Sequence, residues 1–400
     1  MSSADSRADT SASVSEIFTA FLTLGLTSFG GPIAHLAYFR TAFVEQREWL
    51  SEARFAQLLA LCQFLPGPAS SQLGFAIGLL RGGWLGALAA FVGFTLPSVV
   101  LLLLFAALLP ALDGPLASAA LHGLKLVALV VVAHGLMGMA RNLCRERFTA
   151  SIAAVTAAIL LVTGPAWIAL LLIVLAAAVG SLLPIPVSAP AELQWQAPLS
   201  RHTGGLLLLV FGVGLIGLSL FAGQSNVLGL SDAFYRSGAL VFGGGHVVLP
   251  LLQDTVVAPG WVSESDFLAG YGAAQAVPGP LFSFAAYLGA QSSVVGGLLG
   301  AFIAVLAIFI PGFLLLAGLL PWWGNIAQNT PTARAVAAVN AAVVGLLAAA
   351  LYDPIWINAI RTPLDLAIAI IGFVLLAAWR LSALWVVAWC VTAAMLFSLN

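Results

Sequence analysis

Long apolar runs, broken at intervals by glycine and proline, make up most of this chain. The runs at 116–140, 152–183, 204–222, 296–320 and 381–399 are each long enough to cross a bilayer. A span needs about 20 mostly apolar residues to cover roughly 30 Å of hydrocarbon. The run 152–183 has room for two helices turning at Gly164 and Pro165. Polar positions gather outside these runs. Residues 1–15 form a polar tail with no cleavable signal or transit peptide in view, and 184–203, rich in Pro, Ser, Gln and Ala, reads as a linker.

The pattern occurs twice. The first copy reads Phe29-Gly30-Gly31-Pro32, then Trp49-Leu50-Ser51-Glu52, Phe55 and Gln63-Phe64-Leu65-Pro66-Gly67-Pro68. The second reads Phe242-Gly243-Gly244-Gly245, then Trp261-Val262-Ser263-Glu264, Phe267 and Gln275-Ala276-Val277-Pro278-Gly279-Pro280. Trp49, Phe55, Gln63 and Pro66 recur 212 positions later as Trp261, Phe267, Gln275 and Pro278. Each copy continues with Gly-Gly-x-x-Gly (Gly82, Gly83, Gly86; Gly296, Gly297, Gly300) and a later proline, Pro97 or Pro311. So many special residues at fixed spacing identify an internal repeat. The apolar run 204–222 has no counterpart in the first half, and an unpaired crossing between two repeats inverts the second relative to the first. The prediction is an all-α polytopic membrane protein with two inverted-topology repeats, 16–183 and 229–400. Their helices are broken or re-entrant, and the linker and one extra transmembrane helix, 204–222, join them.

Charge placement fits inversion. The loop of the first repeat carries Arg40, Arg47 and Arg54, whereas the matching loop of the second carries Asp254, Glu264 and Asp266 and no Lys or Arg. Basic loops stay on the cytoplasmic side. If the broken segments are hairpins that return to the side they came from, Arg81, Arg141, Arg145, Arg147, Arg201, Arg334 and Arg380 also fall inside and Arg361 outside. The N-terminus is then cytoplasmic and the C-terminus external.

Composition narrows the class. Hydrophobic residues make up 62% and charged residues 7% of the chain, against roughly 25% charged in soluble domains. A formal net charge of -1 excludes nucleic acid as a partner. Cys62, Cys144 and Cys390 are far apart and read as small apolar fillers, and the five His follow no ligand spacing, so no metal and no cofactor is expected.

The breaks are the candidate site. Lipid cannot satisfy a free backbone N–H or C=O, so Gly-Gly and Pro in mid-segment are tolerated where the backbone is buried in protein or lines a polar cavity. Paired broken helices in inverted repeats mark the binding site of transporters. Pro32 and Pro68 suit the first position of a new helix, whose free N–H groups and partial positive charge bind oxyanions. Ser70 and Ser71 past Pro68, and Ser283 past Pro280, add hydroxyl donors. Gly30, Gly31, Gly243, Gly244 and Gly245 allow close backbone approach. Packing kinks are the plainer alternative. Gln63 and Gln275, three residues before each Pro-Gly-Pro, rank above any single charge. His35 and His246, beside the glycine breaks, and Lys125, inside an apolar run, are candidates for charge or proton coupling. A neutral buried His and a snorkelling Lys are their bland alternatives. Asp254 and Glu52 read as solvated, and Trp49, Trp261, Trp322, Trp323, Trp379 and Trp385 as interface anchors.

Phe-Gly-Gly-Pro with His a few residues on, Trp-Leu-Ser-Glu ahead of Phe, and Gln-x-x-Pro-Gly-Pro resemble the chromate ion transporter family. The second-half Phe-Gly-Gly-Gly-His and Pro-Gly-Pro resemble that family's second domain. The likeness runs from about Ile17 to the end and describes a long two-domain member. Family residues carry over at Phe29, Gly30, Gly31, Pro32, Trp49, Gln63, Pro66, Gly67 and Pro68, and at Gly243, Gly244, His246, Trp261, Pro278, Gly279 and Pro280. Pro32 stands where the second copy has Gly245, so the halves are not equivalent. The resemblance implies chromate efflux across the bacterial inner membrane, driven by the proton-motive force, with sulfate as a competing oxyanion. The partners are then a small inorganic oxyanion, protons and the lipid bilayer. The oligomeric state is open, a homo-oligomer included. The rival readings are a transporter or channel for another anion such as sulfate, an intramembrane enzyme, for which no nucleophile with a base stands out, and a scaffold, for which little soluble mass exists.

Overall fold

The computed structural model describes residues 12–29, 31–111, 114–163, 166–186, 199–242, 248–327 and 329–398, and every regular element among them is helical. The expected turn at Gly164 and Pro165 and much of the linker lie outside these residues.

The first repeat opens with two hairpins. Helix α1, Val14–Thr27, starts where the Ser13 side chain caps the Glu16 N–H. Helix α2, Gly31–Arg40, with a π-helical turn at Thr41–Gln46, runs back alongside α1. Phe43 lies 4.8 Å from Phe21, and Arg47 reaches Glu16 at 3.9 Å. Helix α3, Glu52–Phe64, capped by Ser51, goes in again and ends at the Pro-Gly-Pro break. Helix α4, Ala69–Leu108, loses helical geometry at Gly82 and Gly83, which divides it into a short arm, 69–81, and a long arm, 84–108. The short arm spans about 20 Å at 1.5 Å per residue, too little to cross roughly 30 Å of hydrocarbon. It returns to where α1 began: Ala12 donates to the Arg81 carbonyl at 3.0 Å, and the Arg81 guanidinium sits 5.6 Å from the Trp49 ring. Both hairpins thus open at one end of the repeat and point their tips inward, so the broken segments re-enter. The long arm of α4, then α5, Pro115–Leu143, α6, Arg147–Thr163, and α7, Ala166–Leu182, complete the repeat.

Helix α8, Arg201–Phe221, begins against Gly318 and Trp322 and ends beside the start of α9, Asn226–Leu240, where Gly229 approaches the Ala222 carbonyl. This is the extra crossing. The second repeat then copies the first. Helix α10, Val248–Leu252, extends into a π-helical turn, Gln253–Val257, and Ser237 of α9 meets Thr255 at 3.4 Å. Helix α11, Glu264–Ala274, leads into the second Pro-Gly-Pro. A 3-10 turn, Leu281–Ser283, continues as α12, Phe284–Gln291, and the chain turns into α13, Gly297–Leu319. Ser293 donates to the Trp261 carbonyl at 2.9 Å, and Asn226 to that of Val294 at 3.0 Å, which closes the hairpins as in the first repeat. Gly83 has φ +61 and its counterpart Gly297 φ +58, the left-handed region glycine permits at the hairpin turn. Helices α14, Thr330–Ala350, α15, Pro363–Ala377, and α16, Ala383–Phe397, finish the chain.

Ring contacts fix the relative direction of the repeats. Phe75, midway along the short arm toward the open end of the first repeat, stacks 4.4 Å from Phe313, in the second half of α13. Its repeat counterpart Tyr287, near the open end of the second, lies 5.6 Å from Phe105, near the far end of α4. The long arm of α4 and α13 therefore run antiparallel, and the two repeats open at opposite ends. Backbones approach closely where glycine removes the side chain: a Cβ on Gly25 would meet the Gly93 and Phe94 carbonyls at 2.8 Å, and one on Gly238 the Ile308 carbonyl at 2.1 Å.

Two expectations change. Trp49 is 4% and Trp323 2% exposed, so they are core residues and not interface anchors. Trp49 is held by stacking on Phe43 at 5.0 Å with guanidiniums around it, a better use of its surface than the bilayer edge. Trp379 and Trp385, at 72% and 63% exposed, are free to serve as anchors.

Candidate functional site

The two Pro-Gly-Pro breaks reach across the interior to the opposite repeat, and they do so crosswise. The Gly67 N–H donates to the Val241 carbonyl at 2.6 Å, and the Gly279 N–H donates to the Ser28 carbonyl at 3.0 Å. Each Pro-Gly-Pro break is thus bonded to the glycine-rich tip of the other repeat. Proline has no N–H, so Gly67 and Gly279 are the only backbone donors their breaks own. Both have positive φ, +122 and +97. Both are also packed: a Cβ on Gly67 would lie 3.1 Å from the Gly312 Cα, and one on Gly279 3.0 Å from Ser98 Oγ. Each break therefore rests on the proline kink, Pro311 or Pro97, of the opposite repeat.

The short arm of α4 starts at Ala69 with Pro68 as its N-cap, one residue later than Pro68 at the first helical position. Gln72 N–H is bonded to the Pro68 carbonyl at 2.8 Å, which leaves the amides of Ala69, Ser70 and Ser71 without intrahelical acceptors. They face the interior with 4% exposure at Ser70 and Ser71. His35, 1% exposed, sits 3.4 Å from Ser70 Oγ through Nδ1 and 3.2 Å from the Ser28 carbonyl through Nε2, with its ring edge-on to Phe94. Ser71 Oγ is buried without a partner among the described residues. Ser98 Oγ lies 2.9 Å from the Thr95 carbonyl, to which it donates, and 2.7 Å from Ser283 Oγ. Phe29, Gly31, Pro66, Gly67, Pro68, Ser70, Ser71, Pro278, Gly279, Pro280 and Ser283 thus lie at the crossing. Gly30, Gly243, Gly244, Gly245 and His246 lie outside the described residues, as does the Pro32 side chain.

Other expected positions behave differently. Gln63 is exposed, whereas the equivalent Gln275 is half-buried, bonds Tyr271 and leaves its Nε2 without a partner among the described residues. Lys125 is 6% exposed and lies within electrostatic reach of Arg361, Asp266 and Glu264, so a cation and two carboxylates share its surroundings. His122, on the same helix, is 2.8 Å from Asp365. Glu52 is solvated as expected and pairs with Arg40 at 2.8 and 2.9 Å, which holds its carboxyl below the usual range. Asp254 is not: it is partly buried and lines a cavity of about 250 Å³ with Gln253, Pro250 and Asp353 at the open end of the second repeat. Sequence reasoning missed Ser28, Gln72, Thr95 and Ser98. Gln72 is wholly buried, and its Nε2 donates to the Pro66 and Gly312 carbonyls at 2.9 and 3.0 Å, which binds the first break to the Pro311 kink. A polar residue wholly inside an apolar run was the available signal. Among the described residues, no three His, Cys, Asp or Glu side chains stand close enough to hold a metal.

Two repeats opening at opposite ends, with re-entrant segments crossing in the interior around free helix-start amides, give this multi-pass membrane protein the architecture of a transporter. The chain belongs to the chromate transporter family, whose sequence profile matches residues 15–181 and 228–395, one match per repeat. It is similar to the chromate transport protein of Pseudomonas aeruginosa, 27% identical over 380 residues, covering 91% of this chain and 87% of that one. The probable chromate transport protein of Synechococcus elongatus is 28% identical over 373 residues, covering 92% and 91%. The chromate transport protein of Cupriavidus metallidurans is 26% identical over 365 residues, covering 89% and 85%. No solved structure matches the chain.

Proposed function

We propose that the protein exports chromate or a closely similar oxyanion dianion across the bacterial inner membrane, driven by the proton-motive force, with sulfate as a competitor. The observation that carries this reading is the start of the short arm of α4. Three free amides, a helix dipole and the buried Ser71 hydroxyl converge there at the crossing of the tips. Helix-start amides hold an oxyanion without a fixed cation, so binding stays weak enough to release. The names of the relatives supply chromate as the substrate.

The anion is taken up from the cytoplasm and held between 29–32, 66–71 and their second-repeat counterparts. It is released outside as one repeat rocks against the other. His35 and His246 are the candidate proton carriers at the breaks. Lys125, with a cation and two carboxylates around it, is a candidate for charge coupling. Orientation follows from basic residues: Arg40, Arg47, Arg54, Arg81, Arg141, Arg145, Arg147, Arg201, Arg334 and Arg380 sit toward the face where the first repeat opens, and Arg361 toward the other. The positive-inside rule makes the first face cytoplasmic, with the N-terminus inside and the C-terminus in the periplasm.

The test is uptake of labelled chromate into inside-out vesicles, with and without a proton gradient and with excess sulfate. Saturable, gradient-dependent uptake blocked by sulfate supports the reading. No uptake by folded protein under any gradient removes chromate as the substrate.

A further inference from the structure

The repeats match in backbone but not in polarity where their tips meet. We infer that, among the described residues, the first repeat supplies the polar contacts of the bound oxyanion, through the hydroxyls of Ser28, Ser71 and Thr95, while the second supplies an apolar wall; this rests on the oxyanion reading above.

Ser28, Ser71 and Thr95 are 0%, 4% and 3% exposed. The Oγ atoms of all three are buried with no hydrogen-bond partner among the described residues. Native interiors leave few such groups, and each calls for an explanation. Here the three residues gather around His35. The Ser28 carbonyl takes His35 Nε2 and the Gly279 amide. The His35 ring in turn touches Phe94, which precedes Thr95, and Ser70, which precedes Ser71. A hydroxyl is a donor of the kind an oxyanion needs. Gln72 Oε1, also without a partner, is an acceptor and stands outside the donor set.

The repeat supplies an internal control. Aligned on Phe29 with Phe242, Pro66 with Pro278 and Pro97 with Pro311, the three positions become Val241, Ser283 and Phe309. Val241 and Phe309 have no polar side-chain atom. The Ser98 proton goes to the Thr95 carbonyl, so the proton of the 2.7 Å Ser98–Ser283 bond is that of Ser283, which commits its hydroxyl as a donor. His35 becomes Val248 and Gln72 becomes Phe284 by the same alignment. At these aligned hydroxyl positions the duplicated backbone thus carries unpartnered donors in the first repeat only, and the one unpartnered donor of the second repeat's break among the described residues is the Gln275 amide. An anion held this way stays with the first repeat's tips while the apolar wall slides past it.

The experiment uses the full-length protein in proteoliposomes and in detergent. Ser28→Ala, Ser71→Ala and Thr95→Val, each nearly isosteric, are compared with wild type and with Ser283→Ala. KM and Vmax for labelled chromate are read beside the thermal shift produced by chromate and by sulfate. Loss of one hydrogen bond to a charged ligand raises KM about tenfold or more. The expected result is that rise in the three first-repeat variants, with unliganded melting unchanged, and an effect of Ser283→Ala roughly tenfold smaller than that of Ser71→Ala. First-repeat variants with wild-type KM overturn the inference, as do Ser283→Ala and Ser71→Ala of equal effect while wild type transports chromate. Wild type that ignores chromate but is stabilised by sulfate, with that stabilisation lost in Ser71→Ala and Thr95→Val, removes chromate and supports the one-sided site. Wild type that responds to no anion overturns both.

Discussion

The amide of Gly67 donates to the carbonyl of Val241 at 2.6 Å, across 174 positions of sequence and from one repeat into the other. Its counterpart, Gly279 to Ser28, does the same in reverse at 3.0 Å. Neither repeat can therefore satisfy its own break. The bonds lie between the parts that must move against each other in a rocking transporter, so they join transport to folding.

Substitution at these glycines tests that link. A side chain at Gly67 is strained by its φ of +122 and meets Gln72 Nε2 at 2.8 Å; at Gly279 it meets Ser98 Oγ and the Phe94 carbonyl. Such backbone strain costs of the order of 1–3 kcal/mol. Gly67→Ala and Gly279→Ala should each lower the melting temperature of the purified protein and slow chromate uptake, with Gly67→Leu inactive. Pro66→Ala adds a competing N–H to the first break and should slow uptake while leaving insertion intact. Wild-type transport by inserted Pro66→Ala and Gly67→Leu proteins would mean that the breaks are not the site.

Topology gives an independent test. Because Phe75 meets Phe313 while Tyr287 meets Phe105, the open ends of the repeats lie on opposite faces. Cysteines placed at positions 145 and 258 should react with a membrane-impermeant maleimide from opposite sides, 145 in inside-out vesicles and 258 in intact cells. Labelling of both from the same side contradicts the inverted arrangement.

The repeat, the breaks and the extra helix were legible because each rests on residues with rigid local meaning. Pro66 and Pro278 remove N–H groups, Gly83 and Gly297 turn left-handed, and a run such as 204–222 has nowhere to go but lipid. The hairpins were also foreseen, from Arg81 and the cluster at 141–147. Thr95 was hidden because a lone hydroxyl in an apolar helix is commonly tolerated by bonding its own backbone, and Gln72, though marked as a polar residue inside an apolar run, gave no sign of its partner. Gln72 acquires its role through Gly312, 240 positions away. Trp49 was misplaced for a related reason. A tryptophan near a segment end fits an interface anchor or a packed ring equally well, and only the nearness of Phe43 and Arg81 decides.

The mouths of the repeats differ at equivalent positions. Arg40 and Glu52 form a two-pronged ion pair, with Glu45 also touching Arg40, while Gln253 and Glu264 share one bond at 3.3 Å. The Arg40 and Glu52 side chains are 44% and 59% exposed, and water and salt screen an ion pair this open so that it contributes little to stability. Arg40→Gln, which copies the second repeat, should therefore shift the melting temperature little and lose most of that small effect at high salt. A large, salt-independent destabilisation would show that the pair is shielded in the bilayer.

Gln72 is the sharpest test of how the repeats are held together. Its side-chain nitrogen spans two carbonyls, that of Pro66 in the first break and that of Gly312 beside the Pro311 kink. The first carbonyl lies in the break that ends α3, and the second lies in α13 one residue past Pro311, so the amide ties one repeat's break to the other repeat's helix. Gln72→Leu keeps much of the volume and leaves both acceptors without that donor. A buried polar group stripped of its partner costs about 1–3 kcal/mol, so the variant should melt well below wild type and lose transport. Gln72→Glu keeps the shape but, when ionised, offers only acceptors to two carbonyls, and should be at least as damaging at neutral pH. Protonation restores one donor, so the Glu variant should recover part of its stability as pH falls, whereas the Leu variant should not. Melting curves across pH for both decide the matter: a Leu variant as stable as wild type, or a Glu variant without pH-dependent recovery, would show that the amide does not hold the repeats together.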